Sequence, residues 1–468
     1  KRILFNLSII RQFLIVSCLQ AAVILLAFSS CDLLDVDPPS DIVTPEQIYG
    51  DARTIEAAVN GLYTQNLLAN QVFYYATPFY LTVIADDAYH TSTSYDDLRY
   101  NTYGQTNTYT AIFWEYPYKA ILIANDLIER LPDATVLSEE KKQEYIGEAK
   151  YFRAYSYFLL TTLFGDVPWV TSTRILETTH YPRTAKTEIV EHIKQDLKDV
   201  ETALKNSANT NIKVTTWAAS ALLARTYLYN NEWEKAENKA DSVIVNSGYI
   251  LEDLENVFLR SGKEAIFKTS SSGSWTTYID RVYYAQLTVN NTYLRLTDDF
   301  LNAFEADDLR KTQWTTIVSG FWHPYKYRRT AATSAGAAED FVSLRLAEQY
   351  LIRAEARAQQ GGSKLADAIA DLNLIRKRAR GGVNADLPNS LTQAEILLEV
   401  EKERRREFFA EEAHRWWDLV RTGRADAVLG AIPEKHWQSY RALLPVPTKE
   451  LDKNPNLAPQ NPGYGTIE

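Results

Sequence analysis

Apolar positions recur at three- and four-residue steps along much of the chain. Ala149, Phe152, Ser156, Leu159 and Leu163 put an apolar or small stripe on one face of residues 148–164, and Gly165, Asp166 and Pro168 end it, which predicts a helix. Over 216–247, Ala218, Ala221, Leu222, Arg225 and Leu228 form one stripe, Asn230-Asn231 a turn, and Trp233, Ala236, Ala240 and Val243 a returning stripe. That is an antiparallel helical hairpin. A third unit has the same form, with Leu344, Ala347, Leu351, Ala354 and Ala358, then Gly361-Gly362, then Leu365, Ala368, Leu372 and Ile375. Its small residues let the two helices approach closely. Residues 118–131 pair with the helix from Glu148, and 395–409 with 414–421, making four helical pairs in all.

The alternation of large and alanine positions resembles tetratricopeptide units, without the 34-residue period of a tandem array. The predicted fold is therefore mostly α, a scaffold of tetratricopeptide-like helical pairs. Residues 251–340, rich in Ser, Thr, Gly and Tyr and alternating over 282–287, form a loop-rich insertion with a few short strands. Loops on a rigid scaffold are where binding residues concentrate.

The N-terminus reads as an address. Lys1, Arg2 and Arg11 precede an apolar run over 13–28, then Ser29, Ser30 and Cys31, the layout of a signal peptide rather than of a membrane span. Leu26-Ala27-Phe28-Ser29-Ser30-Cys31 resembles a bacterial lipobox, with Phe28 where Leu is usual, so Cys31 is the expected lipidated first residue. Asp32, Asp35 and Asp37 follow, then Pro38, Pro39 and Pro45 in an extended tether. The expected organisation is a signal peptide over 1–30, a tether over 31–47, helical parts over 48–250 and 341–468, and the insertion between them. Residues 48–468 are expected to interlock as one domain.

Composition narrows the function. Fifty basic against 60 acidic residues give a net charge of −10 with no long basic cluster, which argues against a nucleic-acid partner. The two cysteines, Cys18 and Cys31, leave the body of the protein no disulfide framework. The six histidines are scattered without metal-ligand spacing, and no phosphate-cradling loop or nucleophile elbow occurs, so no cofactor or metal is expected.

The motifs Glu148-Ala149-Lys150-Tyr151-Phe152-Arg153-Ala154-Tyr155 with Phe164-Gly165-Asp166-Val167-Pro168, 221–229, 344–356, 404–418 ending in Arg415-Trp416-Trp417-Asp418, and the tail Asn454-Pro455-Asn456-Leu457 with Gln460-Asn461-Pro462-Gly463-Tyr464 occur in that order. In that order they resemble the SusD/RagB family of surface lipoproteins over nearly the whole chain beyond the leader. Ala413 departs from the family's Glu-Gly-x-Arg, with Glu412 and Arg415 kept. The resemblance implies a lipid-anchored place on the outer face of the outer membrane. It also implies a non-catalytic role as the substrate-capturing lid of a SusC-type TonB-dependent transporter. Oligosaccharides or polysaccharides are the usual ligands, with peptides or glycoproteins for some members.

Two other readings are a surface glycosidase and a pure assembly scaffold. The paired carboxylates Asp86-Asp87, Asp96-Asp97, Asp298-Asp299 and Asp307-Asp308 are read as caps, turns and solvated faces, because a glycosidase pair must face across about 5 to 10 Å. The charged run 399–424, His414 included, is read as an exposed helical face with Glu401 paired to Arg405 and Glu403 to Arg406. Trp114, Trp217, Trp233, Trp416 and Trp417 fall at helical spacing and are expected in the core. The loop aromatics remain as ligand candidates: Trp275, Tyr278, Tyr283 and Tyr284, then Trp314, Trp322 and Tyr325, joined by Tyr89, Tyr95, Asp96 and Tyr100 from the N-terminal half. Partial burial under a loop is an equal expectation for each of them.

Overall fold

A computed structural model describes residues 44–68, 73, 76–269, 294–327, 339–384 and 386–465. The signal peptide, Cys31 and most of the tether lie outside them. The chain divides into two units, Lys1–Ile55 and Glu56–Glu468. In the first, helix Pro45–Tyr49 starts with a reciprocal cap, Thr44 accepting from the Gln47 amide and Gln47 from the Thr44 amide.

The longer helices are α1 (Ala52–Leu68), α2 (Thr77–Ile84), α3 (Thr108–Arg130), α4 (Glu139–Phe164), α5 (Lys186–Ala203), α6 (Thr216–Tyr229), α7 (Trp233–Asn246), α8 (Leu346–Gln360), α9 (Lys364–Ala379), α10 (Gln393–Phe408) and α11 (His414–Arg421). From α3 onward each helix packs on the next in chain order. The mostly helical architecture expected from periodicity is therefore present. Ala149, Phe152, Ser156, Leu159 and Leu163 are all buried on α4, as the stripe requires. At the α8–α9 crossing Ala347, Ala354, Ala358 and Ala368 are fully buried. Gly361 and Gly362 turn the chain there with positive φ of 72° and 59°, a conformation that glycine adopts at least cost.

Three differences from the periodic reading have local causes. Helix α3 begins ten residues earlier than 118, because Asn107 caps it by accepting from the Tyr109 and Thr110 amides, and Pro117 sits inside the helix as a buried residue. Helix α5 has no counterpart among the expected pairs, although Ile189, Val190, Ile193, Leu197 and Val200 line its buried face against α4. Among the expected core tryptophans, Trp114, Trp416 and Trp417 are buried, whereas Trp217 and Trp233 are half-buried.

The described strands are β1 (Ala88–His90), β2 (Ala265–Thr269), β3 (Leu294–Leu296), β4 (Thr315–Val318), β5 (Phe321–Pro324) and β6 (Phe341–Arg345), paired antiparallel as β1–β3, β2–β6 and β4–β5. Ser319 and Gly320, both with positive φ, make the two-residue turn between β4 and β5. The alternating stretch 282–287 lies outside the described residues. The C-terminal tail clamps the end of α4: the Asn461 amide donates to the carbonyls of Phe164 and Leu444, and Arg183 reaches Phe164, Asp166 and Asn461 together. Ala413 stands at φ −115°, where a side chain is unstrained, and the left-handed residues beside it are Ala410 and Glu412.

The charged run over 399–424 is not an exposed face. Glu403 and Arg406 do pair, at 2.7 Å, but with side chains only 1% and 4% accessible. Glu401 takes Arg415 and Arg424 instead of Arg405, which turns to Asp86, Asp87 and Asp299. The run faces inward because α10 lies between α8 and α11, leaving its arginines to meet carboxylates on other elements. Asp86-Asp87 is likewise buried rather than solvated, closed over by Arg405 and Arg415. Asp96-Asp97 and Asp298-Asp299 do occupy first helical turns.

This network sets an acid limit. Burial pushes the carboxyls of Glu403, Glu407, Asp418 and Glu305 up, yet arginine neighbours bring all four below the usual range, Glu305 to about 2 through hydrogen bonding from Arg376 and the charges of Arg406 and Arg380. The folded state then binds fewer protons than the unfolded chain, so their contribution is present above about pH 4.5 and is lost as pH falls through the folded values. Thermal unfolding followed from pH 6 to pH 2 is expected to show a melting temperature that drops steeply below about pH 4.5. A flat profile there would show that these carboxyls bind protons equally in the folded and unfolded chain, so that the arginines do not lower them.

Candidate functional site

One face of the β1–β3 ladder is core and the other is accessible. Ala88 and His90 on β1 lie opposite Leu296 and Leu294 on β3, and all four are buried. The residue between them, Tyr89, pairs with Arg295, and both are half-exposed because strand residues alternate sides. β5 lies beside β3, with the His323 Nδ1 2.7 Å from the Leu294 carbonyl oxygen. The Arg295 guanidinium rests 3.4 Å from the ring centroid of Phe321, which is 41% exposed. Beyond Tyr89, Arg99 lies 4.4 Å over the Tyr89 ring and 5.1 Å from that of Tyr100. The result is a row that alternates aromatic and cation: Tyr100, Arg99, Tyr89, Arg295, Phe321.

The row is held from beneath. Tyr95 packs with His90, Tyr109 and Phe79 at centroid distances of 4.4, 4.8 and 5.2 Å, seating the short helix Asp96–Arg99 on α2 and α3. Lys435 donates to the carbonyls of Ile84 and Arg99, each at 2.9 Å, and of Val83 at 3.2 Å. The His436 amide donates to the Tyr100 carbonyl at 2.8 Å. Burial brings the Lys435 amine down to about 7, against the attraction of Asp86 and with the help of Arg99. On the other strand Thr297 donates its hydroxyl to the Asp86 carbonyl, tying the start of helix Asp298–Asn302 to the end of α2.

The structure brings only some of the sequence candidates together. Tyr89 and Tyr100 are on the row, Asp96 opens the helix behind it, and Tyr95 supports it. Trp322 sits next to Phe321 on β5 opposite Ile317, half-buried, on the side of the strand that alternation sets away from Phe321. Tyr325 is half-buried and donates its amide to the Trp314 carbonyl at 2.7 Å. Trp314 is a core residue, only 1% exposed, with its indole N–H donated to the Leu254 carbonyl and Lys326 4.7 Å from its ring. It has no face left for a ligand. Trp275, Tyr278, Tyr283 and Tyr284 lie outside the described residues. Arg99, Arg295 and Phe321 are not among the sequence candidates; the alternation of β5 and the Ser319-Gly320 turn are the signals that point to Phe321.

The arrangement offers flat aromatic surface flanked by guanidinium donors. An aromatic face packs against the apolar C–H side of a sugar ring, and N–H donors satisfy its hydroxyls. The nearby carboxylates Asp86 and Asp87 are taken up by Arg415 and Arg405, each at 2.7 Å.

A family model described as "SusD family" matches residues 223–464, and one described as "Starch-binding associating with outer membrane" matches residues 32–228. The chain is 27% identical to the SusD-like protein P2 of Formosa agariphila, over 94% of this chain and 98% of that one. It is 34% identical to the starch-binding protein SusD of Bacteroides thetaiotaomicron over 33% of this chain and 28% of that one. Among solved structures, a SusD superfamily protein from Bacteroides vulgatus superimposes with a TM-score of 0.76 at 24% identity, covering 89% of this chain and all of the other. A laminarin-binding SusD-like protein superimposes with a TM-score of 0.73 at 22% identity over the same shares. With both halves matched and the helical array shared, the chain belongs to the SusD family.

Proposed function

We propose that this protein captures a glycan at the cell surface, anchored through Cys31 to the outer membrane, and hands it to a SusC-type TonB-dependent transporter. The observation that carries the reading is the accessible row of half-exposed Tyr100 and Tyr89 with exposed Phe321, which joins parts of the chain more than 200 residues apart, as does the Thr297–Asp86 hydrogen bond between the segments flanking β3 and β1. The names of relatives that bind starch and laminarin support the ligand class. Hydrolysis is disfavoured because Asp86 and Asp87, the adjacent carboxylates that lead into β1, are buried against arginines. Delivery requires release, so an affinity near micromolar, about −8 kcal/mol, suits the task.

Native gels cast with a panel of polysaccharides test the reading. The wild-type protein is expected to be retarded by at least one polymer, and the double variant Tyr89→Ala, Phe321→Ala to run freely with its melting temperature within a few degrees of wild type. Equal retardation of the double variant would move the site elsewhere.

A further inference from the structure

We infer that the glycan received by this row is anionic, with carboxylate or sulfate groups that pair with Arg99 and Arg295; this rests on the glycan-binding reading. Arginine side chains elsewhere in the described residues have partners. Most are in ion pairs, while Arg183 and Arg441 donate to backbone carbonyls. Arg99 and Arg295 have neither an ion pair nor a side-chain hydrogen bond among the described residues, and the Arg295 Nε is shielded from solvent without an acceptor. Ring contact satisfies charge but supplies no acceptor for five N–H donors.

Their electrostatic neighbours make the vacancy sharper. Arg99 adds its repulsion to the burial that depresses Lys435, and Arg295 does the same to His323. Two guanidiniums with neither an ion pair nor a side-chain hydrogen bond among the described residues therefore stand on one row. Tyr89 and Arg295 are cross-strand partners, with the Arg99 guanidinium over the Tyr89 ring and that of Arg295 over the Phe321 ring, so both cations border the same row. A sugar laid along the row would have its acidic substituent within reach of a fork-shaped donor that binds carboxylate or sulfate through two parallel hydrogen bonds. A neutral sugar would leave both charges uncompensated.

The full-length protein is to be titrated with polygalacturonate, with a sulfated galactan and with neutral amylopectin and laminarin, each at low and high salt. The variants are Arg99→Gln and Arg295→Gln, with Arg174→Gln as an exposed control. Expected is binding to one acidic polymer that weakens with salt, falls roughly tenfold in each row variant, and is unchanged in the control, all at wild-type melting temperature. Which acidic polymer binds separates carboxylate from sulfate. Binding to a neutral polymer only, or acidic binding untouched by Arg99→Gln and Arg295→Gln, would overturn the inference and leave glycan capture standing. Binding to none of the four would overturn glycan capture itself.

Discussion

Replacing Glu407 with Gln is expected to cost about 3–5 kcal/mol, the penalty for leaving buried charge uncompensated. Glu407 is fully buried and its carboxylate meets Arg310 at 2.7 Å, Arg345 at 2.5 Å and Arg378. Burial alone would raise it; the charges of Arg378, Arg345, Arg310 and Lys326 hold it well below the usual carboxylate range instead. Gln preserves shape and removes the charge on which those cations converge. Each of the three arginines keeps a second carboxylate, Arg310 with Asp308 and Glu403, Arg345 with Glu264 and Glu411, Arg378 with Glu264. The loss should therefore be large without abolishing folding, since domains carry about 5–15 kcal/mol in total. Denaturant unfolding checks it, with Arg174→Gln beside it: that residue pairs with Glu177 at 73% and 51% side-chain exposure, and such pairs are worth about 0–1 kcal/mol. Similar midpoints for both variants would show that the buried network adds nothing.

That network explains why the charged run, read from sequence as an exposed helical face, is buried in the fold. Arg225 in one motif meets Glu348 in another and Glu412 in a third, the last 187 residues away. Periodicity reports which side of a helix is apolar; it does not report that a glutamate will face an arginine from a distant helix. The exposed-face reading of 399–424 fails for that reason. His414 is buried among the same cations, and burial together with Arg225, Arg404, Arg345 and Lys326 holds it neutral, stacked on Phe408 at 4.5 Å.

What is legible in the sequence is what one element carries by itself. The hairpins of α6–α7 and α8–α9 follow from alanine stripes and from turns at Asn231 and Gly361-Gly362. Helix α5 is equally legible, since its five buried apolar residues fall at helical steps, but it lacks the large-and-alanine alternation of the other pairs. The candidate face is half legible. Tyr89 and Tyr100 are aromatics in a polar stretch, whereas Arg99 and Arg295 become distinctive only once the rest of the fold shows every other described arginine with a partner. Trp314 is the opposite case, a loop aromatic that the fold pulls into the core.

Trp314→Ala is the second large expected effect, and it separates core from ligand contact. The ring is 1% exposed, packs edge-on to Phe258 at 5.6 Å and lies 4.7 Å from the buried Lys326 amine. Removing it opens a cavity and strands the Leu254 carbonyl, which together should cost about 3–5 kcal/mol. Polysaccharide retardation measured well below the unfolding transition should nevertheless match wild type, because the ring lies in the core rather than on the row. Tyr89→Ala should show the reverse: retardation lost, stability nearly kept, since the side chain is half-exposed and its contacts are with Arg99. If Trp314→Ala lost retardation with an unchanged unfolding midpoint, Trp314 would be a ligand contact and the row would not be the whole site.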